Sequence, residues 1–326
     1  MPILDRSAST PSLRDLFRPE AVSADTKAVN ERLARTLAAR SLPDELAKLR
    51  EAYADGTFGL PVMPRSPRAQ ALAIPGPAGA IAARVLVPEV VRGVYLHLHG
   101  GGWMLGANDL LDAQLELIGR EAGLVAVAID YRLAPEHVFP AAIDDGVAAA
   151  RWLIEHARAR FGATWLAIGG ESAGAHLAAS TLLRLRDAGQ GGAFSAANLM
   201  FGVYDLSLSP SLRRAEGTPF IDRAGVEAMV RTFRGDAAPT DPALSPLYAD
   251  LAGLPPALFS VGTIDPLVDD TLFMHMRWQA AGGESALAVY PGGVHGFNSL
   301  GGELADEANA QVARFLRAAR DAAPDA

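Results

Sequence analysis

The chain contains no cysteine, and that absence excludes disulfides, thiolate metal sites and cysteine nucleophiles together. Nor is there an uncharged apolar run near the roughly 18 residues of a membrane span. The first twenty residues carry Asp5, Arg6, Arg14, Asp15 and Arg18 where a signal peptide would have an apolar core. No long basic run is present, and a formal net charge of −8 disfavours a nucleic-acid partner. The expectation is a soluble cytoplasmic protein. Its 326 residues suffice for one large α/β domain with an insertion, or for two small domains.

What is present is an alternation of short apolar runs with amphipathic stretches. Strands are expected at 81–87, 94–98, 124–129, 165–169, 199–203, 257–261 and 286–289. Helices are expected at 110–122, 143–159, 175–186, 269–281 and 305–319. Strands alternating with helices predict a mostly parallel sheet covered on both faces, with the active site beyond the carboxyl ends of the strands. Two regions break the rhythm. Residues 1–55 are expected to form separate helices, with Val29, Leu33 and Leu37 on one stripe and Leu46, Leu49 and Tyr53 on another. Ser41, Pro43 and Asp44 resemble the start of the second helix. The segment 205–243 reads as an insertion with one helical stretch at 225–233. The expected division is helices at 1–55, core at 56–204, insertion at 205–243 and core again at 244–326. Residues 59–77, with five prolines, read as an extended connector.

Gly170-Glu171-Ser172-Ala173-Gly174 falls between an expected strand and an expected helix. A nucleophilic serine needs a sharp turn that exposes its hydroxyl, and the flanking glycines supply the missing bulk. The pentad alone is a weak signal, since chance places one in about a fifth of chains this rich in glycine. Gly283-Glu284-Ser285-Ala286-Leu287 lacks only the second glycine.

Three further strand ends decide the matter. His99-Gly100-Gly101-Gly102-Trp103 is a glycine loop whose backbone amides can meet a developing oxyanion. Asp265 follows the 257–261 strand, and His295 lies in a glycine-flanked loop after the 286–289 strand. The order Ser172, Asp265, His295 is the order expected of α/β-hydrolases. Asp265 is preferred to Asp269 and Asp270 because Pro266 leaves it at the strand end. The other two fall in the first turn of a helix, where acids favour the helix dipole. His97 and His99 share a strand face, but no third ligand follows at metal-site spacing. His156, His176 and His275 lie on expected helices and read as structural or surface residues.

Together, the 99–103 loop, Asp130-Tyr131-Arg132-Leu133-Ala134-Pro135-Glu136-His137, the 170–174 pentad, Asp265-Pro266-Leu267 and His295-Gly296-Phe297 resemble the bacterial hormone-sensitive-lipase-like carboxylesterases. That resemblance spans residues 75–320. It implies an α/β-hydrolase core and a helical cap built from the N-terminal helices and an insertion after the sixth strand. It further implies Ser172 as nucleophile, His295 as base, Asp265 as orienting acid, and Gly101, Gly102 and Ala173 as oxyanion donors. His99 would hold the glycine loop by hydrogen bonds. Arg132 and Glu136 are expected to form a buried ion pair, and Trp103, Phe220 and Phe297 to wall the pocket. Glu171 departs from the aspartate commoner in the family. The implied substrate is a short-chain acyl ester, with an amide, carbamate or lactone as the alternative and a non-catalytic binding protein as the rival class. No cofactor or metal is implied, and the protein is expected to work alone or as a homodimer.

Overall fold

The computed structural model describes residues 12–39, 43, 45–59 and 61–323. Eight strands form one sheet: β1 Gln70–Gly76, β2 Gly79–Leu86, β3 Gly93–Leu98, β4 Leu124–Ile129, β5 Leu166–Glu171, β6 Ala196–Met200, β7 Ala257–Gly262 and β8 Ser285–Tyr290. Their order is β1-β2-β4-β3-β5-β6-β7-β8. β1 and β2 are antiparallel to their neighbours, and every pairing from β4 to β8 is parallel. All residues of β3, β4, β6 and β7 are buried, which is why they read as largely apolar runs.

The helices are α1 Leu13–Leu16, α2 Ala24–Ala39, α3 Leu46–Asp55, α4 Asp112–Ala122, α5 Ala141–Phe161, α6 Ala173–Leu185, α7 Pro210–Arg213, α8 Arg223–Arg234, α9 Val268–Ala280 and α10 Glu303–Asp321. Leu153 of α5, Leu182 of α6 and Trp278 of α9 enter one hydrophobic core with Leu96 and Leu98 of β3. Leu115 of α4 and Val312 and Leu316 of α10 enter the other with Tyr95. Leu96 and Leu98 are fully buried, each contributing about 1.5–3 kcal/mol. Leu98→Ala should therefore cost about 2–5 kcal/mol. Gly123 and Gly162 end α4 and α5 in left-handed conformations that a side chain would strain.

The stretch expected as a connector contains β1. It is an edge strand whose residues are mostly exposed, with only Ile74 buried, so the apolar alternation that marks a strand is weak. Ser41 and Asp44 of the expected helix start lie outside the described residues.

α2 buries Val29 and Leu33, and its Asn30 donates to the Gly292 carbonyl at 2.8 Å. Its Asp25 accepts from the Glu303 amide at 2.8 Å. α3 is held by Arg50, which donates to the carbonyls of Met104 and Ala134 and to both carboxylate oxygens of Glu136. Between β6 and β7 lie α7 and α8. The Asp222 side chain caps α8 by accepting from the Gly225 amide at 2.9 Å, and the helix buries Val226, Val230 and Phe233. Among the described residues no helix is long and apolar enough to cross a membrane.

Candidate active site

Parallel pairing sets the positions of the candidate groups. β3 lies between β4 and β5, with Leu98 opposite Gly170, so the glycine loop after β3 and Ser172 after β5 emerge side by side. A side chain at Gly170 or Gly174 would strike the Leu98 carbonyl. The glycines of the pentad are thus demanded by the neighbouring strand. Ser172 has φ 56° and ψ −118°, a conformation costing on the order of 1–3 kcal/mol and tolerated because strand, helix and neighbours over-determine it.

Asp265 and His295 follow β7 and β8, which are adjacent in the sheet. The His295 Nδ1–H donates to Asp265 Oδ2 at 2.9 Å, leaving Nε2 as the acceptor for the Ser172 hydroxyl, also at 2.9 Å. The Leu267 amide donates to the other Asp265 oxygen at 2.8 Å and fixes the carboxylate. Phe201 meets the His295 ring edge-on at 4.8 Å, and Phe220 stacks over it at 6.2 Å. His295 is only 4% exposed.

Gly101 and Gly102 have φ of 118° and 60° and line the cavity beside Ser172. Among the described residues, the amides of Gly101, Gly102 and Ala173 donate to no protein acceptor. His99 holds the loop, with Nδ1–H to the Gly100 carbonyl at 2.7 Å and its own carbonyl accepting from Tyr131 Oη–H at 2.7 Å.

The cavity is about 130 Å³. Tyr53, Phe58, Trp103, Phe220, Val226 and Met229 are among its lining residues, so α3, the stretch after it and the 205–243 segment all reach it. Trp103 and Phe220 thus lie where the sequence places the pocket walls. Phe297 does not line the cavity: it is 3% exposed and packs on Phe201 and Tyr290. Phe201 touches His295 instead, and no motif marks it in the sequence.

The expected Arg132–Glu136 pair does not form. Arg132 makes a two-pronged bond to buried Asp145 of α5, with its guanidinium N–H groups 2.9–3.1 Å from the carboxylate. Glu136 faces outward to Arg50 of α3. Arg50 holds the Glu136 carboxyl down at about 2. The turn orients the two side chains toward different helices, which sequence proximity does not reveal.

A profile of the α/β-hydrolase fold family matches residues 95–299. The chain is 38% identical to the carboxylic ester hydrolase LipN of Mycobacterium tuberculosis over 70% of its own length and 64% of that protein's. It is 32% identical to an acetyl esterase of Salmonella choleraesuis, covering 76% and 79% of the two chains. The hyperthermophilic esterase of the archaeon Pyrobaculum calidifontis superposes with a TM-score of 0.78 at 28% identity, over 92% of this chain and 98% of that one. This chain belongs to the α/β-hydrolase family, in its hormone-sensitive-lipase-like esterase branch.

In this hydrolase, Glu171 precedes Ser172 and places its Oε2 3.4 Å from His97 Nε2. Burial pushes the Glu171 carboxyl up to about 8 and the His97 imidazole down to about 3, so the pair is uncharged at neutral pH.

Proposed function

We propose that the chain is a cofactor-free serine carboxylesterase acting on short-chain acyl esters through an acyl-enzyme. The observation that carries this reading is the continuous bond path Ser172–His295–Asp265 beside the Gly101, Gly102 and Ala173 amides, which have no protein acceptor among the described residues. Ser172 Oγ attacks the acyl carbon as its proton passes to His295 Nε2. Asp265 steadies the imidazolium, and the amides of Gly101, Gly102 and Ala173 receive the oxyanion. Collapse of the tetrahedral intermediate breaks the bond to the alcohol, which leaves with the proton from His295. Water then attacks the acyl-enzyme, His295 takes the water's proton, and its return to Ser172 Oγ releases the acid.

A cavity of about 130 Å³ with an aromatic and aliphatic lining suits a small uncharged acyl group. The N-terminal helices and the 205–243 segment act as the cap, over a core formed by 56–204 and 244–326. A panel of p-nitrophenyl esters tests the reading: acetyl and butyryl esters should give the highest kcat/KM, with a steep fall from octanoyl upward. No turnover of any ester, or activity lost to a chelator and restored by zinc, would overturn it.

A further inference from the structure

Trp103 is the residue at which the glycine loop ends, and its backbone is the third in a row with positive φ, at 60°. Unlike Gly101 and Gly102, it carries a side chain in that conformation, so something must hold it there. Its carbonyl accepts from the Ala134 amide at 2.9 Å, and its indole adds further contacts. The ring is 1% exposed and stacks on Phe233 of α8 at 4.5 Å with the planes 7° apart. Its Nε1–H donates to His176 Nδ1 at 3.0 Å.

His176 is fully buried, one helical turn after Ser172, and its amide donates to the Ser172 carbonyl at 3.1 Å. An indole N–H can only donate, so Nδ1 is the bare nitrogen and the proton sits on Nε2. That Nε2–H donates to the carbonyl of Leu244, just past the insertion, at 2.6 Å. The imidazole also meets Trp103 and Phe233 edge-on, at 5.2 and 5.7 Å. From the helix that follows Ser172, one side chain thus touches the oxyanion loop, the insertion's helix α8 and the residue just past the insertion.

We propose that His176 is a positioning residue for the oxyanion hole: by accepting the Trp103 indole proton while bonded to Leu244, it sets the Gly101 and Gly102 amides and ties that setting to the seating of the 205–243 segment. The imidazole must stay neutral to accept at Nδ1, and burial lowers its pKa to about 4, which keeps it so under working conditions. The role rests on the esterase reading above. It predicts that the loss of this bond is felt where charge develops on the acyl oxygen and not in ground-state binding.

The experiment compares His176→Phe, His176→Gln and Trp103→Phe with the wild type on p-nitrophenyl butyrate, with affinity for a boronic acid that forms a tetrahedral adduct on the serine as second readout. His176→Phe should lower kcat by about 10–100-fold, less than the loss of an oxyanion donor itself, with KM within a few-fold. Boronate affinity should fall in step with kcat/KM. His176→Gln, which retains an acceptor and a donor, should recover most of both. Trp103→Phe reads the same bond from its other end and should match His176→Phe, serving alone if the latter does not fold. The double variant should lose no more than the worse single variant. Lower melting temperatures with unchanged kcat and boronate affinity, or losses that multiply in the double variant, would overturn the proposal while leaving the esterase reading intact. A wild type inactive on every ester would overturn both.

Discussion

The tetrad Gly-Glu-Ser-Ala occurs twice, at 170–173 and 283–286, and in both copies the serine Oγ lies 2.9 Å from a histidine nitrogen. Only one copy has the rest of a candidate active site around it. Ser172 stands at φ 56° on the cavity, whereas Ser285 opens β8 in regular pairing with Ala257. His295 is bonded through its far nitrogen to Asp265, while no carboxylate of the described residues lies within ion-pair distance of His275. Among the described residues the Gly101, Gly102 and Ala173 amides beside Ser172 have no protein acceptor, and Glu171 is half-buried where Glu284 is exposed. A serine–histidine contact is therefore a common event. The third group and the strained turn set the Ser172 contact apart from the half-buried hydrogen bond at Ser285.

The largest expected effect separates the two serines outright. Ser172→Ala should lower kcat by on the order of 10⁴ to 10⁶, and a fluorophosphonate should label Ser172 alone. Ser285→Ala should leave kcat unchanged. Equal damage from the two, or label on Ser285, would erase the distinction.

The next effect tests the third group. Asp265→Asn removes what the His275 site lacks and should cost about 10⁴ in kcat, the scale of loss that a wrong imidazole tautomer causes in serine proteases. Asp270→Asn provides the contrast. Asp270 sits in the first turn of α9, as expected, yet it is buried and accepts from the amides of Tyr204 and Asp205 at 2.7 and 2.9 Å. Its replacement should lower the melting temperature more than a dipole effect would, with kcat far less affected than in Asp265→Asn.

Backbone geometry gives a smaller effect. Gly174→Ala drives a methyl into the Leu98 carbonyl and should destabilise by about 1–3 kcal/mol or more, read by chemical denaturation. The corresponding position of the second copy already holds Leu287, within β8. A neutral Gly174→Ala would mean that the elbow is less constrained than the neighbouring strand implies.

The smallest effect concerns the two glutamates and appears only as a pH trend. Folding raises Glu171 from 4.5 to about 8, so between those values the folded chain holds a proton that the unfolded chain releases. Stability contributed by the neutral acid is complete below pH 4.5 and declines as pH rises toward 8. The melting temperature of Glu171→Gln relative to wild type should rise across that window, and Glu284→Gln should show no such trend. Parallel profiles for wild type and Glu171→Gln would place the carboxyl in a less enclosed setting.

The core strands and the polar motifs at their ends were legible because burial on both faces leaves long apolar runs and because glycine, serine, aspartate and histidine are constrained at strand ends. β1 was not, since an exposed edge strand need not alternate. Contacts chosen by tertiary packing were also hidden. Arg132 has Glu136 four residues away but bonds Asp145, and Phe297 lies two residues from His295 in sequence while Phe201 meets the ring edge-on. His176 looked like any helical histidine, because its two partners are 73 and 68 residues distant.

The tether of α2 has a consequence for the order in which the molecule is assembled. Asn30 and Asp25 bond to partners 262 and 278 residues further along the chain. Synthesis releases this helix early, at a pace of about 5–20 residues per second, so its docking surface is absent for on the order of ten seconds or more. Through that interval the apolar stripe of Val29 and Leu33 has no native surface to cover it. The helix is made well before the surface it docks on, and a nascent chain halted before Gly292 would present that stripe to chaperones.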